Sequence, residues 1–216
     1  MDRNFWLARW QGNQIGFHEG TPNTLLTAHF AALGIPVGSR VFVPLCGKSQ
    51  DMHWLRAQGY TVVGAELSRL AAEQFFAELG SAPVGAAAGR FERLEARGIT
   101  LLIGDIFELG QKLLGAVDAV YDRAALVALP APLRERYSAH LASLTRGAPQ
   151  LLVTFEYDQT RQAGPPFSVP ESEVRAHYGN IYSLARGEIR EVPGGLKGSC
   201  PAHESVWLLN RPSLGR

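Results

Sequence analysis

Apolar residues fall along this chain in short runs separated by amphipathic stretches, and that alternation predicts strands and helices in turn. Residues 41–45, Val-Phe-Val-Pro-Leu, form an apolar run of the kind that makes a buried parallel strand, and Cys46-Gly47-Lys48-Ser49 is a tight polar connection with a glycine at its turn. A helix follows: Met52, Leu55 and one side of Trp54 give it an apolar stripe, Ser49 or Asp51 can cap it, and Gly59 can stop it. A second apolar run, residues 60–65, ends in the carboxylate of Glu66. This is a βαβ unit with an acid at the tip of its second strand, at about the separation at which dinucleotide-binding folds place the group that takes ribose hydroxyls.

The same reading extends along the chain. Phe5, Trp6, Ala8, Arg9 and Trp10 lie at helical spacing, and a second helix is predicted over residues 22–33, ended by Gly34. After Glu66, Ser68 can cap a helix over 69–79 with Leu70, Phe75, Phe76 and Leu79 inward. Residues 80–89, rich in Gly and Ala, read as a flexible loop, and 91–97 as an exposed helix or an edge hairpin. Strands are predicted at 99–104, 116–121 and 151–155, with a turn of helix at 109–114 and a helix from Pro132 to about Leu144. Residues 164–170 make a stiff proline-rich loop, Glu171 to Tyr178 a short helix, and 181–192 and 204–209 an antiparallel hairpin. The sum is an open α/β sheet, mostly parallel, with an antiparallel C-terminal hairpin edge and helices on both faces. One domain over 1–216 is expected, divided into an N-terminal helical lid segment (1–35), a cofactor-binding core (36–156) and a substrate-side portion (157–216).

Composition narrows the ligand more than the fold. With 21 basic and 20 acidic residues the net charge is +1, which gives no electrostatic footprint for nucleic acid or an anionic membrane, so a small-molecule ligand is expected. A monomer is expected as well. The two cysteines, Cys46 and Cys200, sit in no metal or redox motif, and no apolar stretch approaches the about 20 residues of a membrane span. A cytoplasmic location fits this usage. His18, His29, His53 and His203 have no second ligand at metal spacing, so no metal is expected.

In an open parallel sheet, ligands bind beyond the carboxyl ends of the strands. Leu45-Cys46-Gly47, Glu66, Asp105-Ile106, Asp122-Arg123 and Glu156 stand at those ends. Several acids and one base on one rim suit a ligand with hydroxyls and a positive centre better than a phosphate. The tempting Gly47-Lys48-Ser49 is not a phosphate loop, since that loop needs a glycine where Phe42 stands. The three-glycine dinucleotide fingerprint is also missing, which favours a cofactor without a pyrophosphate. Glu66 is then the acceptor for ribose hydroxyls, Gly47 lets the backbone approach the ligand, and Asp105 can hold an adenine amino group. Arg123 can pair with a cofactor carboxylate, with Asp122 or with an anionic substrate. Trp10 is either a lid or a core residue, and Cys46 is a poor covalent nucleophile.

The string Val43-Pro44-Leu45-Cys46-Gly47-Lys48-Ser49-Gln50-Asp51-Met52-His53-Trp54-Leu55, together with Trp6-x-x-x-Trp10 and Gly16-Phe17-His18, resembles the thiopurine S-methyltransferase family in its short bacterial form, over nearly the whole chain. The resemblance implies a class I methyltransferase (Rossmann-like) fold using S-adenosylmethionine. Carried over by position, it puts cofactor contacts on Trp10, Leu45, Glu66 and Arg123, the backbone near Asp105 and Ile106 at the adenine, and Phe17 at the mouth of the substrate site. The acceptor it implies is a thiopurine or another aromatic or heterocyclic thiol, with selenium or tellurium compounds and a detoxification role as extensions. Phe17, Phe167 and Tyr178 can build an apolar slot under the 165–170 loop. Arg123 can stabilise negative charge on the acceptor, and Asp122 or a water is the candidate for a weak base. The alternatives are a small-thiol or halide methyltransferase and a non-catalytic S-adenosylmethionine-binding module.

Overall fold

The computed structural model describes residues 3–16 and 18–212. Among them, nine strands form one sheet: β1 (Arg40–Pro44), β2 (Thr61–Glu66), β3 (Val84–Ala88), β4 (Phe91–Ala96), β5 (Ile99–Ile103), β6 (Ala119–Asp122), β7 (Gln150–Tyr157), β8 (Ser183–Glu191) and β9 (Ala202–Asn210). Their spatial order is β3-β4-β5-β2-β1-β6-β7-β9-β8. The central five, β5-β2-β1-β6-β7, run parallel, and both ends are antiparallel. The helices are α1 (Arg3–Gln11), α2 (Thr24–His29), α3 (Gln50–Ala57), α4 (Arg69–Glu78), α5 (Gln111–Leu114), α6 (Ala131–Leu144) and α7 (Glu171–Tyr178).

Strand alternation builds two cores, one on each face of the sheet. Val41 and Val43 of β1, Val62 of β2 and Leu151 and Val153 of β7 pack under α2, α3 and α4, against Leu25, Met52, Leu55, Phe75 and Phe76. Phe42, Val63, Val120 and Leu152 point the other way, under α6 and α7, against Tyr137, Leu141, Val174 and Tyr178. With apolar cover on both faces, the central strands read as continuous apolar runs.

Several boundaries differ from the sequence reading. The helix expected over 22–33 is α2 followed by a 3-10 turn over Phe30–Leu33, because the Asn23 side chain accepts the Leu25 N–H (2.9 Å) and starts the helix there. Ser49, rather than Asp51, caps α3, accepting the Asp51 N–H (3.1 Å). The largest change lies at residues 80–89. Instead of a flexible loop they contain strand β3, which pairs antiparallel with β4 from Val84↔Glu95 to Ala88↔Phe91. A two-residue turn with Gly89 at φ +67° closes that hairpin, and an edge strand needs backbone partners more than large side chains. For residues 91–97 the hairpin alternative is the one that forms.

Candidate active site

The chain leaves β1 toward β2 and β6 toward β7 in opposite directions, so a crevice opens between β1 and β6 at the carboxyl ends of the strands. A cavity of about 920 Å³ lies there. Leu45 and Gly47 after β1, Glu66 at the end of β2, Asp105 and Ile106 after β5, and Arg123 after β6 all line it, and Trp10 of α1 lines it from the opposite side. These seven residues, singled out in the sequence, therefore meet on one surface.

The loop after β1 is held in a conformation L-residues rarely adopt. Leu45 has φ +45° and Gly47 φ +54°, and across the crevice Ala124, next after Arg123, has φ +60°. Left-handed backbone at non-glycine residues is costly and clusters where function needs it. A Cβ at Gly47 would stand 3.1 Å from the Trp10 ring, closer than an ordinary contact, so the ring would have to give way slightly. Trp10, buried at 4 % exposure, is thus packed on the loop and also faces the cavity.

Glu66 is fixed by two backbone donors. The Gly47 N–H donates to its Oε2 (2.8 Å) and the Ser68 N–H to its Oε1 (2.7 Å). Burial pushes its carboxyl pKa up, and the N–H groups of Ser68, Gly47 and Leu67 pull it back down. A carboxylate accepts up to about four donors, so Glu66 keeps acceptor capacity for a ligand hydroxyl at the cavity wall. Asp105 spends one oxygen on the Phe107 N–H (3.0 Å), which caps the short 3-10 turn carrying Ile106. The other oxygen is 3.9 Å from the Arg3 guanidinium.

Arg123 and Asp122, adjacent in sequence, part company. Arg123 faces the cavity and pairs with Glu19. Glu19 accepts from the Asn23 amide (3.2 Å), the Asn23 N–H donates to Asp51 (2.7 Å), and Asp51 accepts from the Tyr121 hydroxyl (2.9 Å). This chain of contacts closes on β6 two residues before Arg123. Asp122 points to the other face. Its side chain is fully buried, accepting the Leu126 N–H (3.1 Å) and the Tyr137 hydroxyl (2.8 Å), and it does not line the cavity. Strand alternation thus removes Asp122 as a base for a ligand bound there. Cys46 lines the cavity, but burial and the neighbouring Glu66 raise its thiol pKa well above the usual value, so it stays protonated and poorly nucleophilic.

At the far end of the cavity stand Phe155 of β7, Pro165 and Pro166 of the proline loop, and Arg190 and Glu204 of the terminal hairpin. Arg190 is held by Glu204 through two nitrogens (3.0 and 2.7 Å), its register partner across β8 and β9. The expected aromatic slot is corrected here. Tyr178 lies in the core and Phe167 packs beside Arg134, and neither lines the cavity; Phe155 does. Phe17 lies outside the described residues. Glu156, though at a strand end, pairs with Arg186 away from the cavity. Sequence reasoning missed Glu19, Asp51, Tyr121, Arg190 and Glu204. The one available signal was the Tyr121-x-Arg123 spacing, which sends both side chains to one face of β6. Among the described residues no group of three His, Cys, Asp or Glu side chains is placed to hold a metal ion.

The strand order and the site at its switch point define the class, the class I S-adenosylmethionine-dependent methyltransferases. Solved structures share this fold: Burkholderia thailandensis 1,6-didemethyltoxoflavin-N1-methyltransferase with S-adenosylhomocysteine bound (TM-score 0.63, 16 % identity, 96 % of this chain and 87 % of that one). Magnesium protoporphyrin IX methyltransferase from Synechocystis PCC 6803 with S-adenosylhomocysteine bound is a second (TM-score 0.63, 17 % identity, 95 % and 99 %). In sequence, residues 1–208 match the thiopurine S-methyltransferase family. The chain is 56 % identical over 212 residues to the thiopurine S-methyltransferase of Xanthobacter autotrophicus, covering 98 % of this chain and 100 % of the relative. It is 51 % identical over 203 residues to that of Gluconobacter oxydans, covering 94 % and 92 %. The chain belongs to the thiopurine S-methyltransferase family and is an S-adenosylmethionine-dependent methyltransferase.

Proposed function

We propose that this enzyme methylates the sulfur of thiopurines and of other aromatic or heterocyclic thiols, with Glu66 holding the cofactor ribose, Leu45 and Gly47 its methionine end, Asp105 and Ile106 its adenine, and Trp10 covering it. The observation that carries the cofactor assignment is the spare acceptor capacity of Glu66, whose carboxylate the Gly47 N–H and Ser68 N–H hold at the wall of the cavity. The names of the relatives support the acceptor class, as do the apolar surfaces of Phe155, Pro165 and Pro166.

When bound, S-adenosylmethionine supplies an activated sulfonium methyl group. The protein supplies placement: aligned reactants account for about 7–11 kcal/mol of barrier lowering in favourable cases. Arg123, mostly buried and cationic, attracts the cofactor carboxylate or negative charge on the acceptor. Thiols ionise near neutral pH and thiolates are intrinsically strong nucleophiles, so the acceptor needs no dedicated base. That suits a site from which Asp122 is turned away. The same softness of the acceptor atom extends the reading to selenium and tellurium compounds. A monomer in the cytoplasm, acting in detoxification as one domain with residues 1–35 as its lid, completes the proposal.

The test is incubation with labelled S-adenosylmethionine and a panel of aromatic thiols, thiopurines, small thiols, halide and selenols. Labelled thioether from the aromatic and heterocyclic members is expected. Methyl transfer confined to small thiols or halide would replace this reading with the small-acceptor one. Cofactor binding without transfer to any member would make the protein a binding module. In the same material, Glu66→Ala should weaken cofactor binding at least tenfold, and an unchanged Kd would remove the ribose assignment.

A further inference from the structure

Resting on the aromatic-thiol reading, we propose that Lys197 forms an anion subsite at the acceptor end of the cavity, selecting acceptors that carry a carboxylate on the ring. Two cations of the terminal hairpin line the cavity, Arg190 and Lys197, and Arg123 lines it from the end of β6. Arg123 is paired with Glu19 and Arg190 with Glu204. Among the described residues Lys197 has no carboxylate partner. The remaining wall, Phe155, Pro165, Pro166, Val192, Pro193 and Leu196, is apolar. An apolar slot with one uncompensated ammonium is complementary to an aromatic ring bearing an anionic substituent.

Lys197 is presented by a built loop. The Val192 N–H donates to the Ala202 carbonyl (2.8 Å) and the Gly195 N–H to the Val192 carbonyl (2.8 Å). Leu196 and Cys200 exchange N–H to carbonyl bonds (2.6 and 3.1 Å). Leu196 is buried with Cys200 and Ala202 against Phe155, Tyr157 and Val192, in a small core of its own. Lys197 follows that anchor with φ +53°, in a region that favours glycine, so a lysine here costs backbone energy while bringing its side chain to the cavity. The other cations of the cavity are differently engaged. Lys48 pairs with Glu78 (2.8 Å), Arg3 stands 3.9 Å from Asp105, and Arg9 and Arg136 lie over the rings of Phe5 and Phe107, 4.5 and 4.2 Å from their centroids.

The experiment compares 4-mercaptobenzoate with 4-methylbenzenethiol in the wild-type enzyme and in Lys197→Ala, Lys197→Arg and Lys197→Glu. Lys197→Ala should raise KM for the carboxylate acceptor about fivefold, within the range of a single partly solvated ion pair, and leave its kcat and both constants for the neutral acceptor unchanged. Lys197→Arg should retain most of the preference and Lys197→Glu should raise KM further. Equal effects on the two acceptors, or none, would overturn the proposal. Failure of the wild type to methylate either thiol would instead refute the aromatic-thiol reading. The subsite is then judged by calorimetric binding of 4-(methylthio)benzoate: weaker binding to Lys197→Ala than to wild type supports it, and equal binding refutes it.

Discussion

Two aspartate–tyrosine pairs sit back to back across the sheet at the end of β6. Tyr121 donates to Asp51 (2.9 Å) on the face covered by α2–α4, and Tyr137 donates to Asp122 (2.8 Å) on the face covered by α6 and α7. Tyr121 and Asp122 are neighbours in one strand, so their side chains leave on opposite sides. The first pair borders the cavity and continues through Asn23 and Glu19 to Arg123, tying the start of α2 and the N-terminus of α3 to the ligand rim. The second pair is closed off. With no exposure and two donors, from Leu126 N–H and Tyr137, the Asp122 carboxyl is pushed by burial up to about 6. Chemically similar pairs thus serve different ends, and which side of the strand they occupy decides the use.

The largest test of this contrast is pH. A carboxyl raised from 3.8 to about 6 in the fold binds its proton more tightly there than in the unfolded chain. Its contribution to stability is therefore complete below pH about 4 and is lost as pH rises toward and through about 6. A shift of about two pK units corresponds to on the order of 3 kcal/mol. Asp122→Asn cannot titrate, so the stability of the wild type relative to this variant should fall by that amount between pH 4 and 7 in urea unfolding. A difference independent of pH would mean that Asp122 is ionised normally and is not sealed.

A somewhat smaller effect separates the two tyrosines. Tyr137→Phe removes one of two donors from a carboxylate that water cannot reach, and should cost about 2–3 kcal/mol at pH 8. Tyr121→Phe strips one donor from Asp51, but Asp51 borders the cavity and water can replace the hydroxyl, so about 1 kcal/mol is expected. Equal costs in paired denaturation curves would erase the distinction between an open and a closed pair.

The sequence-legible part of the molecule is what local chemistry determines. The apolar run ending at Leu45, the glycine at 47 and the acid at Glu66 follow one another within a single βαβ unit, so this wall of the cavity could be read from spacing and resemblance. Strand alternation was equally available at Tyr121-Asp122-Arg123, and applying it there separates Asp122 from the rim. β3 was illegible because Val-Gly-Ala-Ala-Ala carries no alternation: its place depends on pairing with β4, a partner beyond its own sequence. The far end of the cavity was hidden for a related reason. Arg190 meets Glu204 through a hairpin register that includes an irregularity between Arg186 and Ile189, and Glu19 reaches Arg123 across 104 residues. Contacts set by the assembled sheet leave little local signature.

The smallest expected effect probes the open pair's far end. Glu19 is 42 % exposed and Arg123 only 11 %, and the carboxylate of Glu19 pairs with the guanidinium proposed above as a partner for the cofactor carboxylate. Two carboxylates sharing one guanidinium repel each other, and a half-exposed ion pair contributes at most about 1 kcal/mol. Glu19→Gln keeps an amide oxygen for Asn23 and removes the competing charge. Calorimetric titration should therefore show cofactor Kd lowered by about threefold, with the gain shrinking as salt is raised. A higher Kd in this variant would assign Glu19 the opposite role, that of orienting Arg123 toward the ligand, and would make the chain from Tyr121 through Asp51 and Asn23 a positioning device for that arginine.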